Sequence, residues 1–227
     1  MTTVCYVRDR DFDHFPPVDL AQPTVHEMDS GAVLGWRWCR HEIENYLIDP
    51  ELVHAALGWD RPAYEAEIIL AASALKHYQA ARWAAGQARQ VLPPAKEFPN
   101  RPLECKNEFH LPGDLSEPAV IGWIRDLAAE VLARVETALA RAAIEGALAA
   151  NTARLTDAIR GGVPSVLLWY SGKDLLAGLR PWLEKTYHLH PTQVLIRIQE
   201  WVAANPDETL KLFPEWDALR NLLRSYP

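Results

Sequence analysis

Two aspartates, Asp9 and Asp11, follow a short apolar and β-branched run, residues 3–8, which predicts a buried strand. Side chains two apart on a strand project to the same side, and two like charges so close repel each other unless a cation lies between them. Because carboxylate oxygens suit Mg²⁺ or Mn²⁺, the pair predicts a divalent-metal site. The alternative is an acidic turn without a ligand. Asp13 lies in the following loop, where we expect a turn residue rather than a third ligand.

Two glutamates, Glu42 and Glu44, lie in the segment 41–47 and form a second acidic group. This segment is not the zinc-protease signature, because Asn45 stands where a second histidine is required. It directly follows the second predicted strand, residues 33–38, so either carboxylate could reach the crevice at the carboxyl end of the sheet, beside the two aspartates. The alternative is that both glutamates only complement the dipole of a helix that begins here.

A single lysine, Lys173, opens a predicted helix after a third apolar run, residues 165–170, which predicts another buried strand. The surrounding residues are not a nucleotide-binding P-loop, because the required first glycine falls at Leu167 and Asp174 replaces Ser or Thr. A cation at the carboxyl end of a strand could stabilise charge that develops on a phosphate. A solvated lysine is the alternative.

Helices are expected to fill most of the rest of the chain. A short helix is predicted over 41–48, and Asp49 is placed to cap the next one, with Pro50 at its first position and Gly58 past its end. Proline-rich residues 93–115 predict an irregular connector. Long helices are predicted over 62–91, with Tyr64, Ile68, Ala71, Leu75 and Tyr78 on one face, and from Ser116 to about Ala150, with a further helix over 151–160.

The expected fold is α/β and mostly helical overall, with a small parallel sheet and a large helical insertion. Residues 1–60 and 161–227 are predicted to form the α/β core. Residues 61–160 are predicted to form the insertion, in which the two long helices pair as an antiparallel hairpin.

The bulk composition narrows the functional classes. The 227 residues are 49% hydrophobic and 23% charged, as is ordinary for a globular protein. The formal charge of −7 argues against a broad basic surface for nucleic acid. The sequence has neither a signal peptide nor an apolar run long enough to span a membrane. The odd number of cysteines, without metal-ligand spacing, favours a reducing cytoplasm; they are Cys5, Cys39 and Cys105.

Three blocks of this sequence together resemble the Toprim region of OLD-family proteins, which follows or partners an AAA or ABC-type ATPase. The most specific block is 38–53 (WCRHEIENYLIDPELV), and the next is 4–13 (VCYVRDRDFD). The third block is 168–179 (LWYSGKDLLAGL). The resemblance implies a Toprim-like sheet and a metal-dependent cleavage of DNA or RNA that uses one or two cations.

The same resemblance assigns roles to individual residues. It implies that Asp9 and Asp11 bind Mg²⁺ or Mn²⁺, and that Glu44, with Glu42 as the second choice, supplements this metal site. Glu44 and Lys173 would act in catalysis, with Lys173 near the scissile phosphate. The AAA or ABC-type ATPase is the implied partner, because this sequence carries no ATPase motif.

One departure from the family pattern leaves the function open. The pattern begins with a glutamate after an earlier strand, whereas this sequence starts at Met1 directly on the strand before Asp9. We therefore expect the missing part to come from another polypeptide, or the chain to be a truncated or degenerate copy. Three hypotheses follow: a Toprim-like nuclease, a non-catalytic module of the same fold for regulation or assembly, and an unrelated α/β protein with an incidental acidic cluster.

Overall fold

The computed structural model describes residues 6–12, 14–27, 33–91 and 116–225, which are mostly helical with one small sheet. Three of the features predicted above, residues 3–5, Asp13 and the connector 93–115, lie outside the described residues. The strands are β1 (Tyr6–Arg8), β2 (Thr24–Glu27) and β3 (Val33–Arg37). The helices are α1 (Glu44–Leu47), α2 (Pro50–Leu57), α3 (Arg61–Val91), α4 (Glu117–Leu139), α5 (Arg141–Arg160), α6 (Val163–Trp169), α7 (Gly172–Tyr187), α8 (Pro191–Ala204), α9 (Pro206–Leu212) and α10 (Pro214–Ser225).

The sheet has the order β1-β3-β2 and is mixed rather than parallel. Strands β1 and β3 are parallel, as the sequence predicts, and their register places Val7 opposite Trp36. Strand β2 pairs antiparallel with β3 and falls in a segment that the sequence predicts as loop. Because β1 and β3 are parallel, the segments that follow them leave the sheet at the same edge. The segment that follows β1 carries Asp9, and the segment that follows β3 is the 38–44 connection.

The predicted third strand, residues 165–170, is wrong, because this segment lies in helix α6. Its buried residues, Val163, Val166, Leu167 and Tyr170, follow the three-and-four spacing of a helix. Gly162 takes a positive φ of 80° directly before the helix, and a proline occupies its first turn. A short apolar run fits a strand or a helix equally well, and these flanking residues favour the helix.

Helix α2, the second helix after β3, is capped as predicted. The side chain of Asp49 accepts a hydrogen bond from the Glu51 amide at 2.9 Å, Pro50 opens α2, and Gly58 ends it with a φ of 69°. The preceding helix α1 is shorter than expected, because it begins at Glu44 rather than at residue 41.

The long helices differ from the prediction at one break. Helix α3 runs nearly as predicted, but the second long helix ends at Leu139, and α5 continues without interruption through Asn151. Ala140 separates the two with an extended backbone (φ −55°, ψ 137°). Alanine favours a helix by intrinsic propensity, so nothing in the local sequence predicts this break.

Helix α3 packs along α5 in the opposite direction. The Asn151 amide donates to the Gln87 side chain at 3.0 Å, whereas the earlier Trp83 and the later Arg154 meet at Phe15. The buried face of α3 belongs to the same apolar core as α2, α6, α7 and α8; it includes Tyr64, Ile68, Ala72, Ala80 and Trp83. Tyr78, which the sequence places on this face, is instead 56% exposed. Among the described residues, no helix is both long and apolar enough to cross a membrane.

Helix α3 also touches the loop that follows β1. A Cβ atom added to Gly86 would overlap the carbonyl group of Phe12. The helix and the Asp9–Phe12 loop can therefore approach this closely only with glycine at position 86.

We expect Gly86→Ala to destabilise the fold by about 1–3 kcal/mol, because the backbone of the loop must shift. The matched control is Gly146→Ala in α5, where a Cβ atom meets nothing within 4 Å. Helix propensity alone should make this control neutral or more stable by up to about 1 kcal/mol. Urea unfolding of both variants measures the difference, and equal effects would contradict the close approach.

Candidate functional site

Asp9 follows β1 and lies at the start of α1. Its Oδ1 accepts a hydrogen bond from the Ile43 amide at 3.2 Å. The loop is held in place next to it, because the amides of Arg10 and Asp11 both donate to the His41 carbonyl, at 3.0 and 3.3 Å. One oxygen of Asp9 is thus used by the fold, and Oδ2 is left for other contacts.

Glu42 connects this region to the beginning of α7. The side chain is buried, and its Oε2 accepts from the Ser171 hydroxyl at 3.0 Å and from the Lys173 amide at 3.2 Å. The approach is close, because a Cβ atom on Gly172 would lie 2.7 Å from the Asn45 nitrogen. Glu42 therefore satisfies the Lys173 amide and the Ser171 hydroxyl at the N-terminus of α7, where a helix attracts negative charge.

The ammonium of Lys173 lies among three carboxylates from separate segments. Its Nζ is 3.9 Å from Asp9 Oδ2, 3.9 Å from Glu42 Oε1 and 3.7 Å from Glu44 Oε2. These distances are longer than direct hydrogen bonds. We name Asp9, Glu42, Glu44 and Lys173 the carboxylate–lysine cluster.

Glu44 supplies an unsatisfied acceptor to the carboxylate–lysine cluster. Its Oε2 is buried and has no hydrogen-bond partner within the described part of the chain. A buried carboxylate oxygen without a donor costs free energy, so this atom favours a cation closer than the Lys173 ammonium.

Asp11 stands apart from the carboxylate–lysine cluster. The residue is exposed and takes a left-handed backbone with a φ of 51°, which aspartate tolerates better than most residues. It acts on Asp9 and on Lys173 through its charge. The structure therefore does not place the two aspartates as an equivalent pair, because the strand ends before them and the chain turns at Asp11.

Burial and nearby charges shift the pKa values of residues in the carboxylate–lysine cluster in opposite directions. Burial raises the pKa of Asp9 and of Glu42 above their ordinary values, although hydrogen bonds and Lys173 counteract it. Burial alone would lower the pKa of Lys173, but Glu42, Glu44 and Asp9 raise it above the ordinary value. Lys173 thus stays charged and compensates the carboxylates around it.

His41 and Arg10 are buried next to Glu42 and Asp9 in the chain, and the sequence did not single them out. His41 is 0% exposed and its Nδ1 is 3.7 Å from Glu42 Oε1; burial, with help from nearby cations, lowers its pKa to about 2. Its ring packs edge-on against Phe12. Burial lowers the pKa of Arg10 to about 10, and its guanidinium donates to the carbonyls of His14 and Leu168. His41 is therefore a neutral neighbour of Glu42, and Arg10 is a charged residue bound to backbone carbonyls.

The side chains of the carboxylate–lysine cluster have donor atoms that suit a divalent cation, but they are not spaced to coordinate one. Among the described residues, no three His, Cys, Asp or Glu side chains are arranged to hold a metal ion. The donors are all carboxylate oxygens, which suits Mg²⁺ or Mn²⁺, and Glu44 Oε2 lacks a partner. The ammonium lies between the carboxylates, and because the Lys173 side chain is 57% exposed, an outward rotamer would make room for a cation. The cation could then replace the ammonium.

Comparisons with protein-family models, with curated proteins and with solved structures find no match for this chain.

We expect Glu42→Gln to flatten the dependence of stability on pH. Because the pKa of Glu42 is raised above 4.5 in the folded state, the folded protein binds a proton more tightly than the unfolded one. The stability of the wild type should fall as the pH rises through this raised pKa, by at most about 1.4 kcal/mol per pH unit for one proton.

Urea midpoints from about pH 4 to pH 8 measure this slope. Glu184→Gln, which removes a half-exposed carboxylate of α7, is the control and should keep the wild-type slope. A Glu42→Gln slope equal to that of the wild type would show that burial does not shift this group.

Proposed function

We propose that the chain is a Toprim-like metal-binding module related to OLD-family nucleases, and that its carboxylate–lysine cluster binds Mg²⁺ or Mn²⁺. The proposed activity is metal-dependent cleavage of phosphodiester bonds in DNA or RNA, with an AAA or ABC-type ATPase as partner. The observation that carries the proposal is the convergence of three carboxylates on Lys173, each with an oxygen 3.7–3.9 Å from Nζ.

The position of the carboxylate–lysine cluster supports a ligand site. Asp9 follows β1 and the glutamates follow β3, so both come from the carboxyl ends of parallel strands. Open α/β sheets bind ligands in this crevice. Lys173 reaches it from the first turn of α7 rather than from a strand end. Although Lys173 lies on a helix and not at the end of a strand, its ammonium still lies beside the acidic residues. The Toprim resemblance implies a lysine in this position.

Each residue would have a distinct part in the reaction. Asp9 Oδ2, Glu42 Oε1 and Glu44 Oε2 would hold the cation, and a bound cation would supply Lewis-acid chemistry at a phosphate oxygen or a water. Glu42 Oε2 would remain on the amide of Lys173 and keep the turn in place. The displaced Lys173 ammonium would then stabilise negative charge on the phosphate.

One observation favours a second function, a non-catalytic Toprim-like module for regulation or assembly. The Lys173 ammonium already lies within 3.9 Å of all three carboxylates and offsets part of their negative charge, so the fold holds them together without a metal. The net charge of −7 also lowers the affinity expected for nucleic acid.

Titration with Mn²⁺ tests the metal site. We expect the wild type to gain up to about 2.7 kcal/mol of stability at a metal concentration one hundred times the dissociation constant, since only the folded state forms the site. Asp9→Asn should lose most of this gain. Asp157→Asn, on the exposed face of α5 beside Arg160, is the control and should retain it. A wild type without any gain in thermal stability would refute the metal proposal.

Two further measurements separate the proposed functions. Lys173→Met should bind Mn²⁺ more tightly than the wild type, because it removes a competing cation, and should lose any cleavage of supercoiled or single-stranded DNA. Metal binding without cleavage by the wild type would select the non-catalytic module. Weaker binding by Lys173→Met would contradict the replacement of the ammonium by metal.

A further inference from the structure

Gln79 is a polar residue at a core position of helix α3. It follows Ile68 and Ala72 on the buried face of this helix and is itself 0% exposed. A methionine or leucine would fill this position without burying an amide, and a buried amide is costly unless its hydrogen bonds are made. We therefore expect the Gln79 side chain to position other residues through its hydrogen bonds.

Both ends of the Gln79 amide bind the turn that opens α7. Its Oε1 accepts from the Ser171 amide at 3.2 Å, and its Nε2 donates to Asp174 Oδ2 at 2.6 Å. Arg82, one turn further along α3, also pairs with Asp174. Two side chains of α3 thus fix a four-residue turn that is more than ninety residues away in sequence.

The same turn is the part of α7 that Glu42 caps. Ser171 donates its hydroxyl and Lys173 its backbone amide to Glu42 Oε2, at 3.0 and 3.2 Å. Gln79 and Glu42 therefore hold one turn between them, and any shift of the turn moves the Glu42 carboxylate and the origin of the Lys173 side chain together.

We propose that Gln79 is a positioning residue of the carboxylate–lysine cluster: by holding Ser171 and Asp174 it sets where Glu42 and Lys173 lie. Its role in metal binding rests on the function proposed above, whereas its hold on the turn does not. Residues that orient metal ligands through hydrogen bonds commonly change metal affinity by 10- to 100-fold when they are lost.

The test uses Gln79→Met, which keeps the volume of the side chain and removes both hydrogen bonds. We expect the Ser171 amide to exchange its hydrogen about tenfold faster, because its buried acceptor is gone, and Mn²⁺ affinity to fall at least about tenfold. The matched control is Gln87→Met, two turns further along α3. Gln87 accepts a hydrogen bond from Asn151 at 3.0 Å, away from the carboxylate–lysine cluster. This control should change neither quantity.

A complementary pair gives a second measurement if Gln79→Met does not fold. Gln79→Glu alone places a carboxylate against Asp174 and should weaken Mn²⁺ binding. Adding Asp174→Asn supplies an amide donor to the new carboxylate and should restore most of the affinity. A double variant no better than Gln79→Glu would overturn the positioning role.

The two proposals fail in different ways. If Gln79→Met and Gln87→Met give the same exchange at Ser171, the positioning role is wrong whatever the metal result. If the wild type does not bind Mn²⁺ but Gln79→Met still accelerates exchange only at the 171–174 turn, the hold on the turn stands and the metal function fails.

Discussion

The carboxylate of Glu42 divides its two oxygens between the backbone of α7 and the ammonium of Lys173. The first contact fixes the N-terminus of a helix, and the second contributes to a compensated charge cluster. Because Glu42 lies in the connection between β3 and α1, this single side chain joins the sheet edge to a helix that lies over one hundred residues later. Without it, the Lys173 amide and the Ser171 hydroxyl would lose their acceptor, and the Lys173 ammonium would lose a neighbour that keeps it charged.

The two oxygens of Asp9 are divided in the same way: Oδ1 accepts a hydrogen bond at the start of α1, and Oδ2 faces the ammonium of Lys173. Each of these carboxylates thus has a structural oxygen and an available one. Glu44 Oε2 has no hydrogen-bond partner among the described residues. The arrangement is stable with a lysine as the cation, yet it concentrates negative charge at a point that a smaller and more highly charged ion would favour.

Local sequence rules predicted the elements around this site well where particular residue types mark the ends of a helix or favour a strand. Asp49, Pro50 and Gly58 specify the limits of α2, and the β-branched run before Asp9 specifies β1. Apolar runs carried less information, because residues 165–170 fit a strand or a helix until Gly162 and the spacing of the buried side chains are considered. The break at Ala140 has no sequence signal at all.

Long-range contacts account for what the sequence could not reveal. Residue types and spacing singled out five residues: Asp9, Asp11, Glu42, Glu44 and Lys173. The structure brings four of them together and leaves Asp11 apart. The dependence of the turn at Lys173 on Gln79 arises only when α3 packs against α7. One signal was available, since a glutamine interrupts the apolar stripe of α3 in phase with Ile68 and Ala72.

Anomalous X-ray scattering from crystals grown with Mn²⁺ measures the proposed metal site most directly. We predict a manganese peak between Asp9, Glu42 and Glu44, with the Lys173 ammonium turned outward. An unmoved Lys173 ammonium with no manganese beside these carboxylates would contradict it.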